Sequence, residues 1–322
     1  QPPRAISVNL ICSLVVFIVG CNQPFDPRGS VDQHIVVFTV LSTDRHMQAV
    51  RVTVPFMPNG SDLNDFYTVD NSLSDAKVDI WGPGEHYVLR DTVVSRIDTS
   101  QFHSLLRIFV ADSFTPSYGT RYSVYVSSWS HGYAAAAVVL PGKPILVASQ
   151  ATNLVLEDPM RFRNEMPVAF LVRPSTLAKG LAARLFVNYV VMTGADSLVG
   201  REEVPLSTAD TVSYTLVNPI YPKLIPLVTQ GQLNFTFVNG CLKAVIRNIT
   251  DERYPFKRVI FTSVVFTVLQ VDPNLFSYYE FLRVGRDPRS MRLDEPMFPT
   301  IGQGHYGMIG AYTFDSLVSV FP

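Results

Sequence analysis

Six residues near the C-terminus, Gly302-Gln303-Gly304-His305-Tyr306-Gly307, match by letters the GxGxxG turn that cradles a dinucleotide pyrophosphate. That chemistry needs a strand before the glycines, a helix after them, and an acidic residue about 20 positions further on. Here Pro299 precedes the run, Met308-Ile309-Gly310-Ala311-Tyr312 has a strand pattern, and too little chain follows Gly307 for a βαβ unit. The glycines are expected to mark a bulge or a close backbone approach instead. Ser74-Asp75-Ala76-Lys77 matches SxxK, but the companion SDN and KTG motifs are missing and Lys77 lies on an alternating pattern. GxSxG, HExxH and paired CxxC motifs do not occur. The histidines, His34, His46, His86, His103, His131 and His305, never stand two or four residues apart, so no local metal cluster is expected. Glu202-Glu203 after Arg201 reads as a solvated edge near a turn, and Arg283 and Arg286 as cations at the end of a helix. No cofactor, no metal and no catalytic residue is predicted.

The thiols say more. Arg4 is the only charge before Asp26, and Ala5 to Gly20 is apolar except for Ser7, Asn9 and Ser13. A positive start, an apolar core too short for a membrane span and a small residue at the end describe a secretory signal peptide. The last four residues, Ile18-Val19-Gly20-Cys21, resemble the bacterial lipobox. That resemblance implies cleavage between Gly20 and Cys21, a diacylglycerol on the Cys21 thiol and an acylated new amino terminus. Several acyl chains on one residue anchor firmly, where a single chain holds only marginally. An ordinary signal peptide, or a buried strand ending in Cys, is the alternative. Cys12 would leave with the leader and Cys241 would stand alone, so no internal disulfide is expected. Leu242, Val245 and Ile246 around Cys241 share helical spacing, which predicts a buried thiol rather than a reactive one.

The elements that would position these residues are mostly strands. The chain has 322 residues, 47% apolar, 11% aromatic and 16% charged, with a net charge of -1. That excludes a disordered or fibrous chain, and near-neutrality gives no case for a nucleic-acid partner. Residues 1–20 read as the signal peptide and 21–31, with Pro24, Pro27 and Gly29, as a lipidated tether. Short β-branched or alternating runs follow at 34–41, 48–54, 76–81, 86–90, 105–110, 120–128 and 133–140, separated by Gly, Pro and Asn turns. This spacing predicts one antiparallel β-sandwich domain over 32–143. A second β-rich domain over 144–322 is expected from runs at 145–148, 168–172, 181–192, 211–217, 232–238 and 258–271, the last of them central. Asp272 as cap, Pro273 in the first turn, Leu275, Phe276, Tyr279 and Leu282 at helical spacing and Gly285 as stop predict a helix.

Aromatic residues crowd the last fifty positions, among them Phe276, Phe281, Phe298 and Phe314. They either pack the helix on the final strands or leave a partner-docking patch, for which Tyr278, Tyr279, Tyr306 and Tyr312 are the candidates.

In order and motifs the chain resembles the Bacteroidota outer-membrane lipoproteins grouped as domain of unknown function 4249. The residues that carry the resemblance are Cys21, a first strand pair ending at Pro55, the Asp75-Ala76-Lys77-Val78 strand start and Gly119-Thr120-Arg121-Tyr122. The Ala-rich strand closed by Pro141, the Tyr278-Tyr279 helix and the Gly-rich stretch 302–311 complete the set. Where that family tends to carry Asn-Ile before the glycines, this chain has Thr300-Ile301. The resemblance implies an Ig-like or transthyretin-like N-terminal sandwich, a second β-rich domain with one or two short helices, an outer-membrane address and a neighbouring TonB-dependent transporter. It implies no reaction. The expected function is that of a non-enzymatic, lipid-anchored accessory or ligand-binding partner of an outer-membrane transporter or surface assembly. An envelope hydrolase acting on glycans, and an adhesin or scaffold, are the alternatives.

Overall fold

The computed structural model describes residues 34–55, 71–95, 105–149, 168–194, 196–204, 224–228, 231–237, 239–284 and 306–321. The leader, Gly20, Cys21, the tether, the expected strand 211–217 and Gly302 to His305 lie outside them. Alternation in the sequence becomes strands wherever one face can be buried. β1 (Val36–Ser42) and β2 (Gln48–Thr53) form an antiparallel pair, followed by β3 (Lys77–Gly82), β4 (Glu85–Val88), β5 (Arg90–Val94), β6 (Leu106–Ala111), β7 (Arg121–Ser128) and β8 (Gly132–Val139). The later half supplies β9 (Ile145–Ala148), β10 (Val168–Arg173), β11 (Gly180–Thr193), β12 (Asp196–Val204), β13 (Ile225–Pro226), β14 (Leu233–Phe237), β15 (Arg258–Val271) and β16 (Tyr306–Val320). Two helices, α1 (Asn239–Arg247), which runs into a π-helical turn over Asn248–Arg253, and α2 (Pro273–Val284), complete the described chain. The protein is mainly β and sandwich-like, as the spacing of strands and turns predicts.

One sheet, in the order β12-β11-β15-β16-β1-β2-β6-β5 with β13 beside β11, runs through both halves of the sequence. Its joint is the parallel pairing of β1 with β16, Val36 to Ser42 against Tyr306 to Tyr312. Two smaller sheets, β4-β3-β7-β8 and β14-β10-β9, cover one face of it. In the first core, Val37, Leu41, Val50 and Val52 of the large sheet meet Val78, Ile80, Tyr122 and Val124 of the four-stranded one. In the second, Leu185, Val187, Phe266 and Val268 meet Phe170, Phe235 and Phe237, with Cys241 and Leu242 of α1 alongside. Each fully buried side chain of this kind contributes about 1.5–3 kcal/mol. β15 is central, between β11 and β16, as expected.

Three particulars differ from the sequence reading. The expected partner strand 86–90 is two strands: Leu89, buried at 6% exposure, carries the chain from one sheet to the other, so β4 pairs β3 while β5 pairs β6. Asp196–Val204 is a strand at the sheet edge, where exposed polar residues hide the alternation. The 143/144 boundary falls between β8 and β9, yet β16 supplies Ile309 and Ala311 to the first core. That core is not closed by residues 32–143 alone, and His34–Pro322 forms one compact unit. Gln270, fully buried in β15, bolts the junction: its Oε1 accepts from Ser175 N at 2.7 Å, and its Nε2 donates to the Gly142 carbonyl at 3.0 Å and Thr313 Oγ1 at 3.3 Å.

Gly307 answers the glycine motif. It sits inside the strand with φ +130, and a Cβ there would drive into the carbonyl oxygen of Val37. The glycine is required by the close approach of β16 to β1, and no helix follows it.

Candidate functional site

The face of the large sheet opposite the two small ones carries Phe38, Val40, Met308 and Tyr312, and α2 lies across part of it. Asp272 holds the helix down. Its Oδ1 accepts from Leu275 N at 3.0 Å and from Ala311 N on β16 at 2.8 Å, and its Oδ2 accepts from Asn274 N at 3.1 Å. Burial pushes the Asp272 carboxyl above its ordinary value, and these three backbone donors oppose the rise without cancelling it. Leu275 is buried and Phe276 packs over Gly180, where a Cβ would collide with its ring.

The four candidate tyrosines separate. Tyr278, Tyr279 and Tyr312 come together, half-buried, around Leu275, Met308 and Val271, with the Tyr278 and Tyr279 rings 6.4 Å apart. Burial pushes the Tyr312 phenol up. Tyr306 is not in the cluster; it is exposed, with its ring edge to face against His34 at 5.2 Å. Most of this aromatic density thus packs the helix onto the strands. Beside it, α2 leaves a groove of about 470 Å³ uncovered. Its floor is Phe38, Val40, Ala49, Ile108 and Met308, Tyr278 forms one wall, and Arg51 places a cation among apolar groups. A smaller recess of about 310 Å³, between β9–β10, the middle of β15 and the end of β16, is lined by apolar groups and Ser319 and brings no candidate residue together.

Groups with chemical potential elsewhere are held in structural bonds. Asp75, Ser128, Ser130 and His131 meet at the β7–β8 turn, a cluster that sequence spacing does not reveal because Asp75 is more than fifty residues away. Ser128 Oγ and Ser130 Oγ donate to Asp75 Oδ2 at 2.8 and 2.9 Å. With that proton directed at Asp75, the 2.6 Å contact between Ser130 Oγ and His131 Nδ1 has the imidazole as donor. This is the reverse of a nucleophile handing its proton to a base. Partial desolvation pulls the Asp75 carboxyl upward, but the bonds from Ser128 and Ser130 outweigh it and hold the carboxyl below its ordinary value.

Glu202 and Glu203 are not simply a solvated edge. Glu203 pairs with Arg184 across the β11–β12 ladder and Glu202 pairs with Arg253 of the π-helical turn, while Arg201 stacks its guanidinium over the Phe186 ring at 3.9 Å. Partners on a neighbouring strand or a distant turn leave no trace in local spacing. Cys241 is buried, as its helical surroundings predict. The Ser74/Lys77 pattern falls at the start of β3, where Lys77 pairs with Ser127. Among the described residues no three His, Cys, Asp or Glu side chains are placed to hold a metal ion, and no helix is long and apolar enough to cross a membrane. Comparison with protein-family models and with curated proteins finds no match to this chain.

Proposed function

We propose that this chain is a lipid-anchored cell-envelope protein that works by binding rather than by catalysis, as an accessory to an outer-membrane transporter or surface assembly. The observation that carries the reading is Ile18-Val19-Gly20-Cys21 at the end of an apolar leader, ahead of a Pro- and Gly-containing tether. The resemblance to the Bacteroidota lipoproteins of domain of unknown function 4249 supports an outer-membrane address. The groove between α2 and β6 gives such a protein a place to seat an apolar segment of a membrane partner. Feeding cells an alkyne-tagged fatty acid tests the anchor. The full chain takes up the label and Cys21→Ser does not; an unlabelled parent chain, or a labelled variant, overturns the reading.

A further inference from the structure

The outer face of the four-stranded sheet carries no covering layer among the described residues; Trp81 stands on it, and the chain's other tryptophan, Trp129, lies in its β7–β8 turn. The register places the outward residues in rows. His86, Trp81, Ser123 and Ala137 lie side by side across β4, β3, β7 and β8. Val88, Asp79, Tyr125 and Ala135 form the next row, and Lys77, Ser127 and Tyr133 the third. Trp81, Tyr125 and Tyr133 therefore run as a diagonal of aromatic side chains, each step about 7–8 Å, the usual separation of diagonal cross-strand neighbours. They are 48%, 46% and 76% exposed, and Trp129, at the hairpin tip beyond Tyr133, is 88% exposed. A folded chain leaves this much aromatic surface in water where something else covers it.

The orientation of the first ring narrows the ligand. Trp81 and His86 stack at 3.8 Å with their planes 17° apart, so β4 covers one face of the indole. The other face looks across β7 and β8, where the same row holds only Ser123 and Ala137. The result is a shelf with an aromatic wall and a small-residue floor. Beside it, His86 Nε2 and Asp79 Oδ1 are 2.9 Å apart, and Asp79 Oδ2 takes no other bond among the described residues, leaving an acceptor next to the indole. The outward charges are two cations, Lys77 and Arg121, and one anion, Asp79. A polyanion needs a row of cations along its path, whereas Lys77, level with Ser127, and Arg121, level with Val139, stand at opposite ends of this face.

We infer that the Trp81-Tyr125-Tyr133 diagonal is a binding rail for a neutral polysaccharide, whose pyranose C–H faces stack on the rings while vicinal hydroxyls donate to Asp79. The negative π face attracts the weakly positive C–H edge of a sugar, and a shelf whose two cations stand apart fits an uncharged polyol better than a nucleic acid. This surface belongs to a different sheet from the α2 groove and does not depend on Cys21.

The test uses the full chain in detergent solution, carrying Trp129→Phe so that Trp81 is the only indole. Titration with hydroxyethyl cellulose, dextran and pullulan should shift Trp81 emission saturably with at least one of them. Tyr125→Ala should weaken that binding about tenfold. Trp81→Ala in the parent chain should lose retention on the same polysaccharide coupled to resin, and Trp81→Phe should recover part of it. Trp81→Phe and Tyr125→Ala should melt close to the parent, because both positions are about half exposed. The inference is overturned if no neutral polysaccharide shifts the emission, if Trp81→Ala is retained like the parent, or if only polygalacturonate or single-stranded DNA binds.

Discussion

Two groups of aromatic residues in this protein have similar composition and opposite roles. Phe276, Tyr278, Tyr279 and Tyr312 are gathered between α2 and the large sheet, half-buried against Leu275 and Met308. Trp81, Tyr125 and Tyr133 stand on the outer face of the four-stranded sheet, about half or more exposed, with only His86 stacked on the indole. The first group is dense along the sequence and the second is scattered over fifty residues. Density along the chain reflects what a twelve-residue helix needs, since a helix of that length is marginal without an apolar face packed on something. Exposure is decided by strand pairing, which turns alternate residues of β3, β7 and β8 away from the core. The same residue types thus stabilise the fold in one place and form a surface in the other.

Substitutions in the two regions should separate these roles. The largest effect belongs to the joint beneath α2: Gly307→Ala sets a Cβ against the Val37 carbonyl and should prevent β1 from pairing with β16, leaving a chain without a cooperative urea transition. Leu275→Ala removes a buried side chain from under the helix, and urea unfolding should show a loss of about 2–5 kcal/mol. Tyr125→Ala on the exposed sheet should cost no more than about 0.5 kcal/mol in the same assay. Gln270→Leu, which strips Ser175 N and the Gly142 carbonyl of their partner, should lie between, at about 1–3 kcal/mol.

The smallest effects are those of pH, and they have opposite signs in the two regions. Asp75 has its pKa lowered on folding, so its contribution is present above the ordinary value of 3.8 and is lost as pH falls through the lower folded value. Asp272 has its pKa raised by burial, so the stability linked to its protonated form is present below 3.8 and is lost as pH rises through the folded value. Urea midpoints followed across the acid range should fall less steeply toward low pH in Asp75→Asn than in the parent. In Asp272→Asn the decline above pH 3.8 should be absent.

Much of this architecture was legible in the residues. The nearly continuous apolar run of β15 matches its observed ends, and Asp272, Pro273 and the spacing of Leu275, Phe276 and Tyr279 mark α2 where it lies. Local patterns report local structure, and these elements are local. The parallel pairing of β1 with β16 joins residues about 270 positions apart and leaves no signal in either strand. The ion pairs of Glu202 and Glu203, the Asp75 cluster and the Trp81 diagonal depend on register between strands, which alternation alone does not determine. Of the candidate site, the tyrosines of α2 were visible as a cluster, but their division between packing and exposure was not, because burial depends on which sheet face the helix crosses.

The proposed accessory role is expected to use the uncovered part of the large sheet beside α2. A photoreactive amino acid at Ile108, on the groove floor, tests it in cells that produce the full chain, with Val199 on the far edge strand as the control site. The account predicts an adduct from position 108 to one integral outer-membrane protein, identified by mass spectrometry, and none from position 199. Equal capture from both positions, or no membrane protein captured from 108, would contradict it.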